Sequence, residues 1–156
     1  MPRRKHIDKR VRLPDAKYNN LVLSELINKM MLSGKKSTAE KTIYDALNII
    51  QEKEKADPVA TLELALKNST PLLEVKARRV GGATYQVPVE VDVNRGKSLA
   101  IRWLIKSTRA RSGRSMAEKF AGELLEASKG QGATVKKKED THKMAEANRA
   151  FAHYRW

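Results

Sequence analysis

The chain contains no cysteine, which excludes disulfides and thiolate metal sites. Nowhere does it carry an apolar run approaching the roughly 18 residues of a membrane-spanning helix. Its basic start, MPRRKHIDKRVRLP, leads into no hydrophobic region, so no secretory signal is read there. Catalytic groupings are missing as well. The histidines His6, His142 and His153 are scattered, and no serine or carboxylate pattern pairs with them. Glu139 and His142 have the spacing of a carboxylate di-metal ligand pair, but such sites need a second copy and further glutamates. His142 is therefore read as a helix-surface residue, and no metal or cofactor is expected. The loop SGKKS, Ser33 to Ser37, is not a nucleotide-binding loop, because Lys29 stands where the first glycine belongs and Lys36 where the hydroxyl belongs.

What the chain has in excess is positive charge. Its 156 residues suit one domain. Lys and Arg number 32 against 18 Asp and Glu, a net charge of +14 and a pI near 10.1. Such a domain repels itself, so a polyanionic partner is the leading explanation.

The stretch Leu72 to Val91, LLEVKARRVGGATYQVPVEV, alternates apolar and polar residues on either side of a glycine pair and reads as a β-hairpin. A three-residue loop, Gly81 to Ala83, would pair Leu73 with Val91, Val75 with Val89 and Ala77 with Val87, keeping the apolar rows on one face. That register is the expectation; a two-residue loop would set Ala77 against Gln86. In the expected register Arg79 faces Tyr85 near the tip and Arg78 projects from the other face. The ribbon is then greasy at its root and cationic at its end, an arm whose root must pack on the body.

Helices flank it. Leu23, Leu26, Ile27, Met30 and Met31 keep helical spacing over about Asn20 to Leu32, with Gly34 as the stop. Ser37 to Glu40 forms a capping box for a helix reaching about Lys53. Asp57-Pro58 opens a third helix, and Pro71 stops it. After the hairpin, about Arg95 to Arg109 puts Ala100, Ile101, Leu104, Ile105 and Thr108 on one side and Arg95, Arg102, Lys106 and Arg109 on the other. From Val93 through Ala117 there are seven cations and no Asp or Glu, which marks a binding face rather than a solvated one. Trp103 falls at the flank of this helix, wedged toward the core rather than stacked on a base. Ser115 to Glu118 is a second capping box, Gly130 and Gly132 close that helix, and the last helix starts near Ala133. The tail Phe151 to Trp156 mixes aromatics with Arg155, suiting either stacking on bases or docking back on the protein. The expected organisation is a mainly α domain of about six helices with one protruding hairpin between the third and fourth. A basic N-terminal arm, 1–17, is ordered by phosphates; the helical body is 18–148, with the hairpin at 72–91; the tail is 149–156.

VKARRVGGATYQVPVEV at Val75 to Val91, LINKMMLSGKKSTAEKTIYDAL at Leu26 to Leu47, SLAIRWL at Ser98 to Leu104 and KKKEDTHKMAEANRAFAHYRW at Lys136 to Trp156 together resemble ribosomal protein seven of the small subunit, of bacterial or organellar type. The resemblance implies a structural constituent of the small ribosomal subunit, not an enzyme. Such a protein binds the three-prime domain of small-subunit ribosomal RNA directly and early and nucleates the head of the subunit. Its hairpin and last helix reach toward exit-site transfer RNA and messenger, and it neighbours small-subunit protein eleven. Localisation to the ribosome of the bacterial cytoplasm, or of a plastid, follows. The positions read as ribosomal-RNA contacts are Arg3, Arg4, Lys5, Arg10, Lys35, Lys36, Arg78, Arg95, Arg102, Lys106, Arg109, Arg111 and Arg114. Those read as near transfer RNA and messenger are Arg79, Gly81, Gly82, Tyr85, Lys136, Lys137, Lys138, Arg149 and Arg155. Without the resemblance, an architectural DNA-binding protein whose basic β-arm enters a minor groove fits the same charges.

Overall fold

The computed structural model describes residues 12–55 and 57–154. The readings placed on Arg3, Arg4, Lys5, Arg10 and Arg155 lie outside the described residues. The order is α1 (Leu21–Met30), α2 (Lys36–Glu54), α3 (Pro58–Ser69), β1 (Leu73–Val80), β2 (Ala83–Glu90), α4 (Val93–Ala110), α5 (Met116–Ser128) and α6 (Ala133–Ala147), followed by a 3₁₀ turn at Arg149–Tyr154. The protein is thus mainly helical, with a two-stranded antiparallel hairpin between α3 and α4.

Helix α5 is the hub. Phe120, Ala121, Leu124 and Ala127 are fully buried, and α5 packs against α2, α3, α4 and α6. Its alanines let the neighbouring backbones come close, and Ile43, Leu47, Ile50, Leu62, Ile101 and Leu104 fill the space between them. Each such large side chain contributes about 1.5–3 kcal/mol by leaving water. Local chemistry sets most helix starts: Asn20, Asp57, Asp92 and Ser115 each accept from backbone N–H groups of the first turn, and Pro58 occupies the first turn of α3.

Three expectations need correction. Helix α1 stops at Met30 rather than Leu32, because Ser33 (φ 52°) and Gly34 (φ 75°) take left-handed backbone and reverse the chain. The helix after that loop therefore starts at once, at Lys36: the Lys36 N–H donates to the Gly34 carbonyl at 2.8 Å, and Ser37 lies inside the first turn with no capping bond. Glu40 reaches across one turn to Lys36 at 3.6 Å instead of closing a capping box.

The hairpin register also differs from expectation. Ala77 pairs with Gln86, Val75 with Pro88 and Arg78 with Tyr85, around a two-residue turn at Gly81-Gly82. Both glycines have positive φ, 57° and 89°, the type I′ signature whose twist matches that of the strands. The apolar rows consequently fall on opposite faces, which the fold tolerates because both faces are partly covered. Leu73, Val75 and Pro88 are half-buried on one side, and Val87 is fully buried on the other. At the root, Gly96 lets α4 press against the chain entering β1. A Cβ there would lie 3.0 Å from Thr70 Cγ2 and 3.3 Å from the Pro71 carbonyl oxygen.

Candidate nucleic-acid interface

The apolar face of α4 sinks into the core through Ala100, Ile101, Leu104, Ile105 and Thr108, so Arg102, Lys106 and Arg109, at i, i+4 and i+7, are left exposed along one stripe. These three make no ion pair with any described residue. At the end of the stripe Arg109 donates through Nη2 to the Met30 carbonyl at 3.3 Å. That bond brings it to the mouth of the α1–α2 loop, where Lys35 and Arg109 line one groove. Two basic segments distant in sequence thus become one surface, with Lys36 beside it on the exposed start of α2.

Other cations are engaged by the protein itself. Arg95 grips the buried Glu74 of β1, and Lys76 Nζ adds a second contact to Glu74 at 3.2 Å. The Arg95 hydrogen bond holds the Glu74 carboxyl below the usual carboxylate range and raises Arg95 in turn. Arg111 turns inward. Its guanidinium bonds Glu126 with both terminal nitrogens and reaches Glu123 at 3.2 Å, and Glu123, 1% exposed, also accepts from Thr134 N at 2.9 Å and Thr134 Oγ1 at 2.6 Å. The hydrogen bond to Glu126 pushes Arg111 above its ordinary range and Glu126 below its own. This network ties the end of α4 to α5 and to the start of α6. Arg114 is exposed, and Arg78 is half-buried and engaged.

Along α6 the three consecutive lysines separate at 100° per residue. Lys138 Nζ donates to the Asn68 carbonyl at 2.7 Å, Lys137 lines a groove against α4, and Lys136 faces the Gly130–Gly132 loop. At the hairpin tip Arg79, Gly81 and Gly82 are exposed. Tyr85 is half-buried: the rings of Phe151 and Tyr154 lie 5.2 and 5.3 Å from it, so the Arg149–Tyr154 turn docks on β2. His142, expected at a helix surface, is a latch at the ribbon's root. Its Nε2 accepts the Leu72 N–H at 3.0 Å, and burial lowers its pKa.

A model of the family described as ribosomal protein S7p/S5e matches residues 2–149. The chain belongs to that family. Among its relatives are the small ribosomal subunit protein uS7 of Dehalococcoides mccartyi strain BAV1, 58% identical, and those of Heliobacterium modesticaldum and Geotalea uraniireducens, each 60% identical. Each likeness spans 156 residues and the whole of both chains. The family is structural rather than enzymatic, and as a member the chain is a constituent of the small ribosomal subunit.

Trp103, expected at the flank of its helix and wedged toward the core, is half-buried at that edge of α4 and lines an open groove. The unbroken stripe Leu99, Trp103, Lys106, Ala110 was the signal that would have located it. Buried Glu74 and Glu123 were missed, since each is satisfied by a partner on another element.

Proposed function

We propose that the chain binds the three-prime domain of small-subunit ribosomal RNA directly and early, and so nucleates the head of the subunit. Arg102, Lys106, Arg109 and Lys35 contact phosphates and 2′-hydroxyls of a folded junction, the recognition suited to A-form RNA with its inaccessible major groove. The single observation carrying this reading is the meeting of Lys35 with Arg109 at the end of an acid-free stripe on a rigid helix. The hairpin tip, with Arg79, and the last helix extend toward exit-site transfer RNA and messenger, with small-subunit protein eleven as a neighbour. The docked turn supports that part by joining the hairpin to Arg149–Tyr154 as one unit.

The test is footprinting of small-subunit ribosomal RNA with the purified protein. Protection confined to the three-prime domain is expected, with Lys35→Ala and Arg109→Ala weakening the same cluster of protections. Protections scattered over all domains, or equal affinity for duplex DNA at the same salt, would overturn the proposal.

A further inference from the structure

Six residues of α4, Leu99, Arg102, Trp103, Lys106, Ser107 and Ala110, recur along one side of the helix and line one groove, closed on its other side by Ala133 and Lys137 of α6. The groove holds about 470 Å³, inside the roughly 300–1,000 Å³ that accepts a small molecule. Its composition is specific. Among the described residues that line it, Trp103 is the only aromatic, Arg102, Lys106 and Lys137 surround it, and none is a carboxylate. All three cations are exposed and unpaired among the described residues. Arg102 spends only Nε, on the Ser98 carbonyl at 3.2 Å, leaving the outer nitrogens of its guanidinium available. The Trp103 indole N–H donates to no described residue and is not sealed from solvent.

We infer that this groove takes one unpaired nucleotide of the bound RNA, its base against Trp103 and its phosphates on Arg102, Lys106 and Lys137. The inference rests on the proposed RNA-binding function and adds to it a stacking subsite. Charge complementarity selects the occupant: an apolar peptide would leave three cations unanswered, and a bare phosphate would leave the indole idle. A flat aromatic with an anionic backbone satisfies both, and the unengaged indole N–H offers a donor to the base or ribose. The site is tolerant of sequence, since every base has a stacking face.

The chain has two tryptophans, so Trp156→Phe leaves Trp103 as the sole indole reporter. That variant's own affinity for a three-prime-domain transcript serves as the reference. Binding of the transcript, and separately of oligouridylate, is expected to quench Trp103 emission, whereas inorganic polyphosphate is not. Trp103→Leu in the same background is expected to weaken transcript binding about 5- to 150-fold, equivalent to about 1–3 kcal/mol for one stacked base. Trp103→Phe should recover part of the loss, with unchanged circular dichroism in both variants. Tight transcript binding with unquenched Trp103, equal quenching by polyphosphate, or Trp103→Leu binding like the reference would each overturn the stacking subsite while leaving RNA binding in place. If the reference and the unaltered chain both fail to bind the transcript, the broader function falls and the subsite with it.

Discussion

Glu74 of β1 and Arg95 of α4 are joined by a forked ion pair. Arg95 Nε lies 2.9 Å from each carboxylate oxygen, and Nη2 lies 2.8 Å from Oε2. Because the carboxylate is buried and its pKa is lowered chiefly by that bond, its contribution is present above the ordinary value of 4.5 and is lost as pH falls through the lower folded value. Glu74→Gln should cost about 1–3 kcal/mol at neutral pH. It should also flatten the acid limb of a urea-denaturation series run downward from pH 5.5. An unchanged acid limb would mean that the pair does not anchor the ribbon.

His142 provides a second pH dependence, at higher pH. Its folded pKa lies below the ordinary 6.5, since burial and neighbouring Lys138 both disfavour the imidazolium. The unfolded chain therefore takes up a proton first, and stability falls as pH drops through about 6.5 toward the folded value. The protection factor of the Leu72 amide, its exchange rate corrected for the intrinsic pH dependence, should fall over the same window, because the imidazolium cannot accept that N–H. His142→Gln should remove the dependence between pH 7.5 and 5.5.

Exposed cations of the α4 stripe and the α1–α2 loop, and cations turned inward, should separate in salt titrations. Lys35→Ala and Arg109→Ala should each reduce the log-log slope of RNA affinity against salt by about 0.7–0.9, with the fold unaffected. Arg111→Ala should instead lower stability by about 3 kcal/mol, because it strips the buried Glu123 of the only cation paired with it among the described residues. Thermal denaturation beside filter binding distinguishes the two classes.

Tyr85 holds the tail. Removing its ring, as in Tyr85→Ala, should cost about 0.5–1.5 kcal/mol for the stacking on Phe151 and a similar amount for that on Tyr154. It should also speed amide exchange through Arg149–Tyr154 while leaving α5 protected. Equal exchange in both proteins would show the tail held from elsewhere.

The helices were legible because their signals are local. The stripes Ile43, Ala46, Leu47, Ile50 and Ala100, Ile101, Leu104, Ile105 are buried as their spacing required, and Asp57 and Ser115 cap the helices they precede. The failures share one cause: the deciding partner lay elsewhere in the chain. Matching apolar rows pointed to a three-residue turn, but cover on both faces of the ribbon removed that constraint and the glycine pair decided. Arg111 looked like part of an acid-free run because Glu123 and Glu126 answer it from the next helix. Lys136, Lys137 and Lys138, grouped in the sequence as near transfer RNA and messenger, point three ways, as consecutive positions on a helix do. Gathering Lys35 with Arg109 needed the α1–α2 reversal at Ser33 and Gly34, which the glycine alone did not announce.

The tight glycine turn separates how far the ribbon extends from how it is moored. Lengthening both strands by one residue each, on the turn side of the Arg78 and Tyr85 pair, would push the tip outward by about 3.3 Å while Glu74, Val87 and Tyr85 kept their present neighbours. Inserting a residue into one strand alone, nearer the root, would swing everything beyond it to the opposite side and strand Tyr85 away from Phe151. Variation in the length of this finger is therefore permitted in matched steps and forbidden in single ones.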